Sequence, residues 1–425
     1  MFEKYDAYKD SELPSFGSVP IHWEIVPLCS ITTLKSITNV VNEELLSVYL
    51  DKGVIRFDDV TEKRTNVTSL DLSKYQLVEE GDFVLNNQQA WRGSVGVSIY
   101  RGIVSPAYLV LKLSPKVDAK FANYFFRNSA MVSQYLINSK GVGTIQRNLY
   151  WQHLKRSDVV LPPREEQIEI AEFLNQKTSE IDQAIAIKEQ QIALLNERKQ
   201  IVIQKAVTQG LDPNVPMKDS GVEWIGQIPE HWEIRANRTM FKERNEQGKE
   251  GLPLLSVSIH SGVSNEEISE EDNVRGRVKI EDKSKYILVK KGDIAFNMMR
   301  AWQGGIGAVS VDGMVSPAYI VAKPNDLINS EFFEYQYRCP EFIQQMDRYS
   351  KGITDFRKRL YWDGFKQLVT VVPPLDEQLK IVEQIKVIEQ QTNFAIQIKN
   401  QQIEKLKEYK TTLINDAVTG KIKVA

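Results

Sequence analysis

Lys9-Asp10-Ser11 returns as Lys218-Asp219-Ser220, and Gly17, Pro20, His22, Trp23 and Glu24 return as Gly226, Pro229, His231, Trp232 and Glu233, every pair 209 residues apart. Leu46-Ser47-Val48 and Gly53-Val54 keep that offset against Leu255-Ser256-Val257 and Gly262-Val263. From Ser73-Lys74-Tyr75, matched by Ser284-Lys285-Tyr286, the offset is 211, and it holds through Gly81-Asp82, Trp91, Leu149-Tyr150-Trp151, Pro162-Pro163 and Ala206-Val207-Thr208. The change falls between positions 54 and 73, where a polar stretch reads as loop. A repeat of about 210 residues is far longer than the roughly 20–50 residues of a solenoid unit. The chain is a tandem duplication of a whole globular-plus-helical unit, and whatever one copy folds into must occur twice.

Within each copy the early residues are β-branched and aromatic, broken by Gly, Asn and Asp. Ser94–Tyr100 and Tyr108–Leu113, with Ile306–Val311 and Tyr319–Ala322 in the second copy, read as short strands between turns. Ser105-Pro106 and Ser316-Pro317 read as turn starts. Lys120–Leu136 and Ser330–Arg348 carry aromatics at helical spacing and read as helices. The expected fold class is α+β in each copy.

After the double prolines the pattern changes. Residues 164–209 and 375–419 lack Gly and Pro and are rich in Glu, Gln, Lys, Ile, Leu and Ala. Pro163 and Pro374 suit a helix entry, with Glu165, Glu166, Asp376 and Glu377 near its positive end. Ile181, Ile185, Ile192, Leu195, Val202 and Ala206 form a coiled-coil seam with polar breaks at Lys188 and Lys199. Ile385, Ile396, Ile403, Leu406, Leu413 and Ala417 repeat it. Gly210 and Gly420 are placed to stop the helices. Helices of about 45 residues would be about 65–70 Å long. Two matching seams in one chain invite antiparallel pairing, which would relate the globular domains by a pseudo-two-fold axis. The expected division is a domain over 1–162, a long helix over 163–211, a second domain over 212–373 and a second long helix over 374–425.

The composition bounds the function. The net charge is −2, so bulk charge does not drive nucleic-acid binding, and a DNA reader would have to concentrate its cations on one face. Cys29 and Cys339 are the only cysteines, which excludes a disulfide framework and leaves no cysteine zinc site. Without a secretory h-region or a membrane-length apolar run, the chain is expected in the cytoplasm. The four histidines, His22, His153, His231 and His260, are not clustered as ligands, and His22 and His231 read as structural. No phosphate-binding loop, dinucleotide fingerprint, Asn-Pro-Pro-aromatic motif or Gly-x-Ser-x-Gly is present, so a motor, a methyltransferase or a hydrolase is not expected.

What remains is a set of nucleic-acid-binding residue types. Ala119 to Ser157 contains no acid but holds Lys120, Arg127, Lys140, Arg147, Lys155 and Arg156, with Thr144, Gln146 and Asn148 among them. In the second copy Lys351, Arg357, Lys358, Arg359 and Lys366, with Thr354, outweigh Asp355 and Asp363. Lys and Arg meet phosphates, and Arg, Asn and Gln can bond base edges. A solvated basic loop is the bland alternative, which recurrence at the same place in both copies disfavours. Asn86 to Arg92 forms a second segment, matched by Asn297 to Gln303. Two scaffolds reading different half-sites should share framework and differ at contacts. The differing Gln88, Gln89 and Arg92, against Met299, Arg300 and Gln303, are therefore candidate DNA contacts. Trp23, Trp91, Pro106, Tyr108, Trp151 and their repeats are assigned to framework.

Lys218-Asp219-Ser220-Gly221-Val222-Glu223-Trp224-Ile225-Gly226 followed by Pro229-Glu230-His231-Trp232-Glu233 resembles the opening of target-recognition domains in specificity subunits of type I restriction-modification systems. Pro373-Pro374-Leu375-Asp376-Glu377-Gln378 before a long Ile/Lys/Gln helix is similar to that family's helical region. The resemblance covers nearly the whole chain; Leu13-Pro14-Ser15-Phe16 departs from it in the first copy. It implies a non-catalytic subunit reading a bipartite double-stranded DNA target, with the paired helices as a ruler across a spacer of no more than about 20 base pairs. It also implies two methyltransferase subunits, which would carry S-adenosylmethionine while this chain holds no cofactor, and restriction/translocase subunits. A flipped target base would lie in the methyltransferase. The specificity chain of a related type II system, and a coiled-coil adaptor that never meets DNA, stand as alternatives.

Overall fold

The computed structural model describes residues 2–50, 52–59, 71–142, 146–259, 261–265, 282–352 and 358–424. The chain is mixed α/β and divides into two compact units, Met1–Glu189 with Asn400–Ala425, and Gln190–Lys399. Each boundary falls inside a long helix, so each unit contains part of both. Among the described residues no helix is long and apolar enough to cross a membrane.

The first unit is built on a four-stranded antiparallel sheet in the order Thr32–Lys35, Tyr108–Leu113, Phe83–Asn86, Val95–Val97. Alternation along the strands sorts side chains to two faces. Phe83, Leu85 and Leu111 join the main core, whereas Val84 and Val110 join a second cluster with Leu46, Val48 and Val104. Two helices, α1 (Ala119–Arg127) and α2 (Ser129–Ile137), cover the main face. Phe126 of α1 stacks on Phe83 with ring centroids 4.1 Å apart. The long helix α3 (Arg164–Gln209) adds Ile170, Leu174 and Ile181 to this core.

The second unit repeats the plan, with strands Phe241–Glu243, Tyr319–Pro324, Ile294–Asn297 and Ile306–Ala308 in the matching order. Helices α4 (Ser330–Tyr337) and α5 (Pro340–Tyr349) cover it. Its core holds Trp232, Phe296, Phe332 and Phe333 together with Ile203 and Val207 of α3 and Ile381 and Ile385 of α6 (Leu375–Val418). The C-terminal part of α6 returns Leu413 and Ala417 to the core of the first unit. Inside that unit Lys410 bonds Asp182 at 2.7 Å and Lys188 donates to Gln402 at 2.8 Å. Gly210 and Gly420, with φ of +81° and +71°, end the helices in the left-handed conformation that glycine adopts without strain.

The stretches read as helical, Lys120–Leu136 and Ser330–Arg348, are helical, each in two segments. In the first, Asn128 leaves helical geometry and its Oδ1 accepts the Met131 amide at 2.9 Å, capping α2. In the second, Pro340 begins α5 and excludes Cys339 from a helix running through it. The strands expected over Ser94–Tyr100 and Ile306–Val311 are shorter, Val95–Val97 and Ile306–Ala308.

Each long helix is tied to its domain by one buried glutamine. Gln167 donates through Nε2 to the Lys116 and Pro162 carbonyls at 3.1 and 2.9 Å, and its Oε1 accepts the Asp118 amide at 2.8 Å. Gln378 repeats this with Leu327, Pro373 and Asn329 at 3.0, 2.8 and 2.8 Å. Every bond ends on a backbone group of the domain, so the start of each helix is fixed to main chain rather than to side chains.

Candidate nucleic-acid interface

The turn after strand Phe83–Asn86 is set by local bonds. Asn86 Oδ1 accepts the Gln88 amide at 3.1 Å, Trp91 Nε1 donates to the Gln88 carbonyl at 3.0 Å, and Gly93 closes the turn at φ +100°. Gln88 and Arg92 are left exposed and Gln89 half-buried. The second unit builds the same turn. Asn297 Oδ1 accepts from Met299, Trp302 Nε1 donates to the Met299 carbonyl, and Gly304 has φ +89°. Met299 and Arg300 are exposed, and Arg300 bonds the half-buried Gln303 at 2.7 Å.

A hairpin pairs Ser139–Val142 with Gln146–Leu149, setting exposed Lys140 opposite exposed Asn148 and Gly141 opposite the half-buried Arg147. Gln146 stands opposite Val142. The Leu149 amide donates to the Asn87 carbonyl at 2.9 Å, fastening the hairpin to the turn. The Arg147 guanidinium thereby lies 5.9 Å from the Trp91 ring centroid, and that of Arg92 lies 4.5 Å from it. In the second unit Lys351 and Arg359, both exposed, exchange two backbone hydrogen bonds of 2.9 Å, and the Leu360 amide donates to the Met298 carbonyl at 2.8 Å. Lys358 lies 5.6 Å from the Trp302 centroid and bonds both oxygens of Asp347 at 2.8 and 3.1 Å.

The turn that carries Gln88, Gln89 and Arg92 and the hairpin that carries Lys140, Arg147 and Asn148 are thus joined, with Arg92 and Arg147 on Trp91. In the second unit the turn that carries Met299, Arg300 and Gln303 is joined to the segments that carry Lys351, Lys358 and Arg359, with Lys358 on Trp302. Thr144, Thr354 and Arg357 lie outside the described residues. Not every cation of the basic stretches joins these clusters: Arg127 donates to the Leu50 carbonyl at 3.4 Å, and Lys366 pairs with Asp363 at 2.6 Å.

The repeated sequence motifs have a different task. Glu166 at the start of α3 accepts from Trp23 Nε1 at 3.1 Å, lies 2.8 Å from His22 Nε2 and takes the Tyr5 hydroxyl. Glu377 lies 2.8 Å from His231 Nε2 in the second unit. The Pro-x-His-Trp-Glu and Pro-Pro-x-x-Glu-Gln motifs therefore bind one another in each unit, and the repetition of both in the two copies is the one sequence signal that pairs them. Burial, then the bond to Glu166, pushes the Tyr5 hydroxyl far above the ordinary tyrosine pKa. Among the described residues no group of three His, Cys, Asp or Glu could hold a metal ion.

Residues 20–197 match the family described as Type I restriction modification DNA specificity domain. A Methanocaldococcus jannaschii protein provisionally named as the MjaX type I restriction enzyme specificity subunit is 25% identical over 452 aligned residues, covering 100% of this chain and 98% of that one. The MjaVIII type I restriction enzyme specificity subunit of the same organism is 24% identical, covering 96% of this chain and 94% of that one. A chain of a type I R-M system, solved in work on complex assembly and conformational transition, superposes with a TM-score of 0.62 at 13% identity, covering 94% of this chain and 98% of that one; at that identity the likeness is one of fold.

Proposed function

Since the chain belongs to the type I restriction-modification DNA specificity family, we propose that each of its two Trp-centred clusters reads one half of a bipartite duplex target. The observation that carries this is the recurrence of one exposed, polar and cationic cluster on the same turn and hairpin segment in both units, with different outward side chains. Shared Asn86 and Asn297 hold the turns, while Gln88, Gln89 and Arg92 differ from Met299, Arg300 and Gln303. That pattern suits two scaffolds that bind one polymer at different sequences. Lys140, Thr144, Gln146, Arg147 and Asn148 complete the first set, and Lys351, Thr354, Arg357, Lys358 and Arg359 the second.

The recognition domains in this reading are 1–162 and 212–373, joined by helices over 163–211 and 374–425. The helices pair as an antiparallel coiled coil and fix the spacer between half-sites. The opposite order of the contacts Asp182–Lys410 and Lys188–Gln402 supports that pairing. This chain supplies DNA recognition and no reacting group. Two methyltransferase subunits would bring S-adenosylmethionine and the adenine pocket, and restriction/translocase subunits would add cleavage. We place the assembly in the cytoplasm, beside the duplex it reads.

The test is an adenine-methylation map of DNA from cells co-expressing this chain with its methyltransferase subunit. The expected result is a split motif with N6-methyladenine on both strands that vanishes without this chain. No new motif from an assembled complex would overturn the reading in favour of a coiled-coil adaptor.

A further inference from the structure

Trp91 and Trp302 occupy the same place in the two units, and each Nε1 is committed to a turn carbonyl at 3.0 Å. What differs is the load on the ring. Among the described residues Trp302 carries one cation, Lys358, whose charge is answered by Asp347 at 2.8 Å. Trp91 carries two guanidinium groups, from Arg92 beside it in the turn and Arg147 across on the hairpin. The residue matching Arg92 in the second unit is the neutral Gln303, and the residue matching Asp347 is Leu136, which leaves the first cluster without that carboxylate. Among the described residues no carboxylate bonds either arginine. Two guanidinium groups held near one indole repel one another, and an anion or a pair of strong acceptors that meets both relieves that cost. The ring face offsets part of that repulsion and restricts both side chains.

We propose that Trp91 is a positioning residue, which racks Arg92 and Arg147 into one two-guanidinium receptor in the first recognition domain. Its ligand is a duplex element with closely spaced acceptors, which a backbone phosphate and the O6/N7 edge of guanine both present. Among the described residues no second cation lies on Trp302, so in this proposal the two halves of the target are held by different chemistry. This deepens the DNA-reading role and rests on it.

The experiment uses the full chain assembled with its methyltransferase subunits. The probes are a duplex carrying the methylation-mapped motif and the same duplex with the first half-site scrambled. Trp91→Leu is expected to weaken binding to the intact duplex about tenfold, while Trp91→Phe, which keeps a ring face, stays within about threefold. In an Arg92→Ala/Arg147→Ala background, adding Trp91→Leu should cost nothing more, because the ring would have nothing left to position. Thermal melting checks that each variant is folded, and the arginine pair serves as an independent test should Trp91→Leu not fold. A folded Trp91→Leu protein that binds like the wild type overturns the proposal. So does a Trp91→Leu loss that persists undiminished without the two arginines, since that is a structural role. Wild-type protein with no preference for the intact duplex would instead overturn the DNA-reading role itself. Arg147→Lys separates the two ligand sources within the proposal. A phosphate contact leaves sequence preference unchanged, whereas a guanine contact relaxes it at one base pair of the first half-site.

Discussion

Arg244 grips Asp293 through two parallel hydrogen bonds, Nε to Oδ2 at 2.7 Å and Nη2 to Oδ1 at 3.1 Å, with the side chains only 6% and 3% exposed. Asp293 also accepts the Lys290 amide at 2.8 Å, so its carboxylate organises the turn before strand Ile294–Asn297 as well as the ion pair. Its hydrogen bonds hold the Arg244 guanidinium above its ordinary pKa. In the first unit Lys35 and Asp82 form the equivalent pair at 2.6 Å. Removing one member of a buried pair costs about 3–5 kcal/mol when the other charge is left alone; Arg244 keeps the exposed Glu246, which sets the expected loss at the low end, about 3 kcal/mol. Asp293→Ala is therefore expected to lower the unfolding free energy of the second unit by that amount, read by urea denaturation. A loss below about 1 kcal/mol would show that desolvation already cancels the attraction.

The pair also shows which features the sequence makes legible. Gly81-Asp82 and Gly292-Asp293 are visible as repeats, but their cationic partners differ in type, Lys35 against Arg244, and lie where no residue match marks them. The duplication and the long helices could be read because they are periodic over tens of residues. Asn128 and Pro340 could not be read as helix breaks from aromatic spacing alone, because the apolar face continues across both. The candidate interface divides in the same way. Its turn and its hairpin each stand out by residue type, yet their meeting depends on the bond from the Leu149 amide to the Asn87 carbonyl, and backbone bonds leave no signature in side chains. Trp91 reads as framework because it repeats; the arginines lying on it do not repeat, and only the fold brings them together.

Glu334 gives the second unit a pH dependence. Burial raises its pKa above the ordinary 4.5, against the bond from the Ala308 amide and the Arg338 charge, which lower it. A carboxyl with a raised folded-state pKa binds more protons folded than unfolded, so its contribution is full below the unfolded pKa and is lost as pH rises through the folded one. In the first unit the neutral Asn123 accepts the matching Val97 amide at 3.2 Å. Glu334→Gln should keep that acceptor and remove the titration. The stability of the wild type relative to this variant is expected to fall as pH rises above 4.5; a difference independent of pH across that window would refute the assignment.

Cys29 is exposed and Cys339 is buried, its thiol pushed up to about 12 by burial. Cys339 also donates to the Tyr335 carbonyl at 3.3 Å. Since the thiolate is the nucleophile, iodoacetamide at neutral pH should label Cys29 alone in the folded chain and both cysteines in denaturant. Mass spectrometry of the digested protein distinguishes the two, and labelling of Cys339 under native conditions would mean that α5 opens from the core on the timescale of the reaction.

The two cores have a consequence for modular exchange. Residues 1–162 pack on Ile170, Leu174 and Ile181 of α3 and on Leu413 and Ala417 of α6, and the Glu166 and Gln167 contacts fasten them to the helix start. An exchange of residues 1–162 for those of another specificity subunit must keep partners for these side chains, which His22, Trp23 and the Lys116 and Pro162 carbonyls provide. Where the incoming segment keeps the His-Trp pair, the hybrid should fold and methylate DNA at a motif changed in one half only, since Trp302 and its neighbours are untouched. Methylation mapping of the hybrid reads the outcome directly. A motif altered in both halves would show that the two clusters do not read independently. A folded hybrid that keeps the original motif would remove residues 1–162 from recognition.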